Sequence, residues 1–131
     1  MANETKKMSG CGVSNREKLI FSCSGAADVG ELADKAARRM TQKGMGKMFC
    51  LVGIGGQVNK IMQMTQSAHT ILAIDGCPMN CAQKCLEKNG FNNFIHLSIE
   101  DLGFNKGQTE IDNSVILEVV EKGGALINEG K

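Results

Sequence analysis

This chain of 131 residues contains no tryptophan, no tyrosine and a single proline, and its formal net charge is only +1. Because aromatic side chains are scarce and no basic stripe is present, base stacking and attraction to nucleic acid or anionic lipid have little support. No apolar run approaches the roughly 20 residues that a membrane-spanning helix needs. The sequence therefore argues against nucleic-acid and membrane partners.

The N-terminus also lacks the apolar stretch of a secretion signal, because residues 2–7 are predominantly polar. We therefore expect a cytoplasmic protein. Six cysteines in a reducing compartment favour metal binding or thiol reactivity over a disulfide framework. Residues 1–17 are predicted to form a loose tail, and residues 18–131 are predicted to form one folded domain.

Three evenly spaced cysteines are the most informative feature of the chain. Cys23, Cys50 and Cys77 lie 27 residues apart, and each follows an apolar run of strand type. That spacing accommodates one strand and one crossover helix, so the pattern predicts repeated β-α-β units. Because parallel strands end at the same edge of a sheet, these thiols should converge there together with Cys81, one helical turn after Cys77. Four converging thiols indicate either a metal site or a site of thiol chemistry.

The remaining pattern predicts an α/β fold, a single three-layer domain with a short, mostly parallel four-stranded sheet and helices on both faces. Strands are expected at about 18–22, 47–51, 70–74 and 94–99, and helices at about 27–43, 57–66, 78–89 and 112–122. The segment 53–56 is predicted to be a tight turn beside the thiols, because it lacks the full pattern of a dinucleotide or phosphate loop. Pro78 is expected at the first position of its helix, and Gly123 and Gly124 are expected to end the last helix.

Motifs around these cysteines resemble those of the DGC-domain family, a group of small proteins described as zinc-binding and named for the tripeptide Asp-Gly-Cys, residues 75–77 here. The matching stretches are 21–25, 50–56, 74–78 with Cys81, and 101–103. The resemblance implies that one zinc ion per chain is bound by four cysteines. These map to Cys23, Cys50, Cys77 and Cys81. The resemblance implies no known reaction.

Such a ligand set suits zinc, which prefers tetrahedral coordination and binds thiolates well. A closed site of this kind favours a structural or storage role, and storage, sensing and delivery stay open as cellular roles. The metal is the one partner that the pattern predicts. The loops that carry the cysteines precede helix N-termini. Backbone N–H groups near Gly25, residues 55–56 and residues 78–79 are therefore expected to point at the sulfurs and to lower the pKa values of the thiols.

Two other hypotheses stay open. In the first, the protein is a thiol enzyme for sulfur transfer or dithiol redox chemistry, with Cys77 as nucleophile and Cys81 or Cys50 as the resolving thiol. In the second and weaker one, the four thiolates hold an iron–sulfur cluster. Cys85 and Cys11 are further candidates that would replace one of the four ligands. The former is instead expected to pack against the sheet, and the latter to be exposed in the tail.

Charged residues and histidines near the predicted site are given structural roles. Asp75 is expected to accept hydrogen bonds from loop amides and fix the turn that carries Cys77. Lys106 is expected at the same sheet edge as the thiols, either as a solvated loop residue, which is the default, or as a cation that offsets their charge. His69 should lie at the opposite edge and His96 within the fourth strand, so neither is predicted to be a ligand or a base.

Overall fold

The computed structural model describes residues 17–129, which form an all-parallel four-stranded sheet flanked by helices. The strands are β1 (Lys18–Ser22), β2 (Lys47–Met48), β3 (Thr70–Asp75) and β4 (Ile95–Ser98). The helices are α1 (Asp28–Gln42), α2 (Leu51–Gly55), α3 (Asn59–Gln66), α4 (Cys81–Lys88) and α5 (Asn113–Glu129), with a short 3-10 helix at Ile99–Leu102. The α/β prediction is confirmed.

The strands lie in the order β2-β1-β3-β4, so β1 and β3 occupy the centre of the sheet. Every residue of β3 is buried, as expected for a parallel strand covered on both faces. The register pairs Leu19 with Ile71 and Ile74 with Leu97. The carboxyl ends of β1 and β3 are therefore neighbours, which brings the loops after them together.

Alternate residues of the central strands pack against opposite helical layers. Ile20, Leu72 and Ile74 belong to a buried cluster with residues of α1 and α5. Leu19, Phe21 and Ala73 belong to a second cluster with residues of α2 and α4. Because side chains alternate along a strand, these two clusters confirm that helices cover both faces of the sheet.

Two predictions around β2 are wrong. The strand was expected to reach Leu51 but ends at Met48, although the Phe49 N–H still donates to the Ile20 carbonyl at 2.8 Å. The predicted turn at 53–56 lies mostly within α2, which begins at Leu51. A side chain on Gly53 would put its Cβ 2.8 Å from Cγ1 of Ile61, so this glycine serves the packing of α2 against α3.

Helix α4 begins three residues later than predicted, so Pro78 is not its first residue and Cys77 does not cap it. The Asn80 N–H donates to the Cys77 carbonyl at 3.2 Å and closes a turn ahead of the helix. Asn80 itself adopts a left-handed conformation, with φ of 52°. The helix can start only after this residue, which makes Cys81 its first member.

The last helix continues through the two glycines that were expected to end it. A Cβ on Gly123 would lie 2.9 Å from Sδ of Met40, and one on Gly124 would lie 3.2 Å from Cε of Met45. Glycine at both positions therefore lets α5 pack closely on α1 and the loop after it without displacing the two methionine side chains. Tertiary contacts offset the intrinsic cost of about 1 kcal/mol for glycine within a helix.

The predicted tail, with Cys11, lies outside the described residues except for Glu17. The carbonyl of Glu17 accepts a hydrogen bond from the His69 N–H at 2.8 Å. Among residues 17–129, none of the helices combines the length and the apolar character needed to cross a bilayer.

Candidate metal and thiol site

Three of the four predicted cysteines line one cavity at the carboxyl edge of the sheet. Cys23 directly follows β1, Cys77 lies two residues after β3, and Cys81 begins α4. The cavity they share has a volume of about 530 Å³. Ligands of open α/β sheets bind at this edge, because the loops that follow the strands surround it.

Cys50 lies elsewhere. It is exposed and caps α2, and it lines a different cavity with Arg38, Lys47 and Phe49 among its neighbours. Strand β2 does adjoin β1, as convergence of the thiols requires, but it ends two residues before Cys50. Within residues 17–129, no three His, Cys, Asp or Glu side chains are grouped closely enough to hold a metal ion. The four-cysteine ligand set stays a prediction.

The sulfur of Cys23 lies in the tightest surroundings of the three. The Gly76 N–H donates to Cys23 Sγ at 3.4 Å, and the backbone N–H of Gly25 also bonds to this sulfur. Burial nevertheless raises the pKa of the Cys23 thiol, because desolvation of the thiolate outweighs these two hydrogen bonds. The expectation that helix N-termini lower the thiol pKa is therefore wrong for Cys23.

Glycines allow the loops around the cavity to approach the start of α1. A Cβ on Gly76 would lie 2.6 Å from the Val29 carbonyl oxygen, and one on Gly30 would lie 2.5 Å from the Gly25 carbonyl oxygen. Real side chains do not tolerate such distances from backbone atoms. The glycine of the Asp-Gly-Cys sequence is thus needed for close packing, and it keeps the loop of Cys77 against the loop of Cys23.

Asp75 holds the start of α4 in place. Its side chain is buried, Oδ1 accepts the Ala82 N–H at 2.8 Å, and Oδ2 accepts the Gln83 N–H at 3.0 Å. Oδ2 also lies 2.9 Å from Nε2 of His96. Asp75 was expected to bond loop amides, but its partners belong to the first turn of the helix that Cys81 begins. His96 was given no part in the site, and it contacts this carboxylate directly.

A second carboxylate, that of Asp28, fixes the loop that carries Lys106. Lys106 lines the cavity, at the sheet edge where it was predicted. Oδ1 of Asp28 accepts the Gly107 N–H at 2.9 Å, and Oδ2 accepts the Thr109 N–H at 3.0 Å. These two backbone bonds lower the pKa of Asp28. Asp28 at the start of α1 therefore positions the loop immediately after Lys106.

Cys85 does not line the thiol cavity. It is half-buried, packs with the layer of α2 and α4, and places its Sγ 3.8 Å from the Leu51 carbonyl oxygen. Burial and the nearby charge of Cys81 raise the pKa of its thiol. These contacts suit the structural role expected for Cys85.

Comparison with known proteins adds a family-level result. The family model described as DGC domain matches residues 19–122, which is most of the chain. The chain is also 34% identical over 88 residues to the anaerobic and virulence modulator AnvM of Pseudomonas aeruginosa, and the match covers 67% of each protein. No solved structure matches the chain.

Proposed function

Since this chain belongs to the DGC domain family, we propose that it is a zinc-binding protein whose metal site lies at the carboxyl edge of the parallel sheet. The observation that carries this proposal is the shared cavity of Cys23, Cys77 and Cys81. Thiolates are the softest ligands available to zinc in proteins, so the chemistry of this donor set fits the metal.

The fourth coordination position separates two versions of the proposal. Cys50 is the fourth ligand predicted from the sequence. To reach the other cysteines it would have to leave its own cavity, which requires the connection after β2 to rearrange. Without Cys50, the other three cysteines would have to draw together around the metal, and their thiolates would leave one position for water or another ligand. Zinc with four protein ligands supplies structural stabilisation, whereas zinc with an open position also supplies Lewis acidity.

The residues around the thiols have defined tasks in this proposal. Asp75 anchors the start of α4 and so fixes where Cys81 stands. Gly76 lets the loop of Cys77 pack against α1 and donates its N–H to the sulfur of Cys23. That N–H, together with Lys106 across the cavity, offsets negative charge when the thiols ionise on metal binding.

Among storage, sensing and delivery of the metal, we favour sensing. The relative in Pseudomonas aeruginosa is named as an anaerobic and virulence modulator. In this chain Cys81 is exposed and Cys77 is half-buried, so both are accessible to oxidants. Oxidation of a ligating thiol removes its ability to bind zinc, which couples metal content to redox conditions. We also propose a cytoplasmic location, where such thiols are kept reduced.

A thiol enzyme is the second candidate, and one observation favours it. Cys77 and Cys81 line the same cavity, so a nucleophilic and a resolving thiol would face one substrate. Cys50 is the poorer resolving thiol, because it lines a different cavity.

Elemental analysis of metal and acid-labile sulfide tests these functions, with untagged protein purified without oxygen. The zinc proposal expects about one zinc per chain and no sulfide. If the protein contained no metal and its cysteines were reactive, the thiol enzyme would become the better-supported function. Iron with sulfide would instead indicate a cluster. The Cys85→Ser variant controls for the loss of a cysteine as such. Because Cys85 lies outside the cavity, this variant should keep the full metal content.

A further inference from the structure

The thiol cavity is larger than a metal ion requires. Its volume of about 530 Å³ lies within the range of sites for small organic molecules, roughly 300–1,000 Å³. Apart from the thiols, its lining consists mainly of small or apolar groups, including Ala26, Ala27, Val29 and Met79. Met79 is 61% exposed among the described residues, so the cavity offers an apolar side chain for contact with a ligand.

The charged groups on the cavity select for an anion. Lys106 is the one basic residue among the described residues that line it. The one acidic lining residue, Asp75, is buried and already accepts hydrogen bonds from Ala82 and Gln83 besides its contact with His96. Both of its oxygens are therefore occupied by partners within the protein, whereas the ammonium group of Lys106 makes no salt bridge with any described residue.

The loop of Lys106 is also held in place before any ligand arrives. Asp28 accepts the N–H groups of Gly107 and Thr109, and the Thr109 hydroxyl donates to the Asn105 carbonyl at 2.8 Å. A cation on a fixed loop loses less conformational freedom on binding than one on a free loop. Asp28 itself does not line the cavity.

We propose that this cavity binds a small organic acid with a short apolar body. The carboxylate pairs with Lys106, and the apolar part lies on Met79 and Ala27 beside the three thiols. This proposal goes beyond zinc binding and does not depend on it, because Lys106, Met79 and Ala27 supply the contacts.

Affinity alkylation of the zinc-free, reduced protein tests this proposal, with 2-bromohexanoate and 2-bromohexanamide as probes. In each reaction a cysteine thiolate forms a bond to C2 of the probe, bromide leaves, and the thiol proton passes to the buffer. Mass spectrometry reports alkylation at Cys77 and Cys81 separately. We expect the acid to react at a rate that saturates with its concentration, and unreactive hexanoate to protect both cysteines.

Matched variants separate the two contacts. Lys106→Gln should lower the acid-to-amide rate ratio by about three- to fivefold, the scale of one surface ion pair, whereas Lys122→Gln on α5 should leave it unchanged. Met79→Gln should weaken protection by hexanoate more than protection by acetate, because only the longer acid covers the apolar surface. Alkylation of Cys50 serves as an internal reference. Its acid-to-amide rate ratio should change neither in Lys106→Gln nor in Met79→Gln.

An unsaturable rate, no protection by hexanoate, or an unchanged ratio in Lys106→Gln would overturn the proposal. Hexanoate titration monitored by the amide NMR signals of Gly76 and Gly107 gives an independent reading if the thiols react too slowly. Shifts at both amides support the site, and their absence opposes it. Because zinc is left out of every measurement, failure of zinc binding cannot be mistaken for failure of this site.

Discussion

The carboxylate of Asp75 at the end of β3 lies 2.9 Å from the imidazole Nε2 of His96 on β4, while the same carboxylate accepts two N–H groups from the start of α4. One buried side chain thus joins two strands and a helix at the edge where the thiols lie. It connects the central sheet to the helix that begins with Cys81.

Replacing this carboxylate with an amide should destabilise the protein. In Asp75→Asn, the side-chain NH₂ faces an N–H or imidazole donor, so one buried donor loses its acceptor. We expect the free energy of unfolding to fall by about 1–3 kcal/mol, measured by urea denaturation. Amide hydrogen exchange at Ala82 and Gln83 should accelerate as the start of α4 opens.

The matched control is Asp112→Asn, because Asp112 also accepts a helix N–H, from Val115 at 3.0 Å, but at an exposed position. Its cost should be smaller, since water can replace the lost partner. Equal losses in both variants would mean that burial of Asp75 adds nothing.

Close backbone packing gives a second prediction. In Gly76→Ala the new Cβ would lie 2.6 Å from the Val29 carbonyl oxygen, so the loop must move away from α1. Overpacking of this kind costs about 1–3 kcal/mol. Differential scanning calorimetry should show a lower Tm, and the zinc content should fall because Cys77 moves with the loop.

The loop after β1 offers a control of the same chemistry. A Cβ on Gly25 would meet no atom within 4 Å, so Gly25→Ala should leave the Tm nearly unchanged. If Gly76→Ala were tolerated as well as Gly25→Ala, the close approach would not constrain the sequence.

The layers of the fold were predictable because their cause is local periodicity. The strands β1, β3 and β4 and the helix α1 lie within about one residue of the expected bounds, since apolar residues repeat clearly along each. The errors lie where contacts distant in sequence decide the structure. Helix α5 continues through Gly123, where a Cβ would lie 2.9 Å from Sδ of Met40 on α1, and no local pattern reveals that contact.

The site was predictable in part for the same reason. Strand ends placed Cys23 and Cys77 at one edge, and these two do line one cavity. The position of Cys50 depends on where β2 ends and α2 begins, which apolar periodicity does not determine. His96 was missed because its contact needs the strand order. Once β4 is known to pair with β3 in the register Ala73 to His96, alternation places His96 on the face of Asp75.

The loop that carries Lys106 should respond to acid through Asp28. Hydrogen bonds from Gly107 and Thr109 lower the pKa of Asp28 below its unfolded value, so the folded state favours the carboxylate. The stabilisation is therefore present above the unfolded pKa, about 3.9, and is lost as the pH falls through the lower pKa of the folded state.

The loop of the Asp28→Asn variant should therefore be less protected than that of the natural protein at pH 7. The difference should disappear at a pH low enough to protonate Asp28. The readout is amide hydrogen exchange at Gly107 and Thr109, which should be faster in the variant at neutral pH. Asp101→Asn, in the preceding 3-10 helix, is the control and should leave both amides protected. A difference that persists unchanged into acid would rule out titration of Asp28 as its source.

The last prediction concerns which cysteines hold zinc. Cys23→Ser, Cys77→Ser and Cys81→Ser should each lose most of the bound zinc, because each removes a thiol from the shared cavity. We expect Cys50→Ser to lose less, since Cys50 must leave its own cavity to reach the others. Competition with a chromogenic chelator measures the affinity of each variant, and Cys85→Ser serves as the reference for a cysteine outside the site. If Cys50→Ser lost zinc as fully as Cys81→Ser, the four-cysteine set would be correct and zinc binding would have to draw the connection after β2 toward the cavity. Retention of zinc in Cys50→Ser would instead leave a three-thiolate site with a position open to a further ligand.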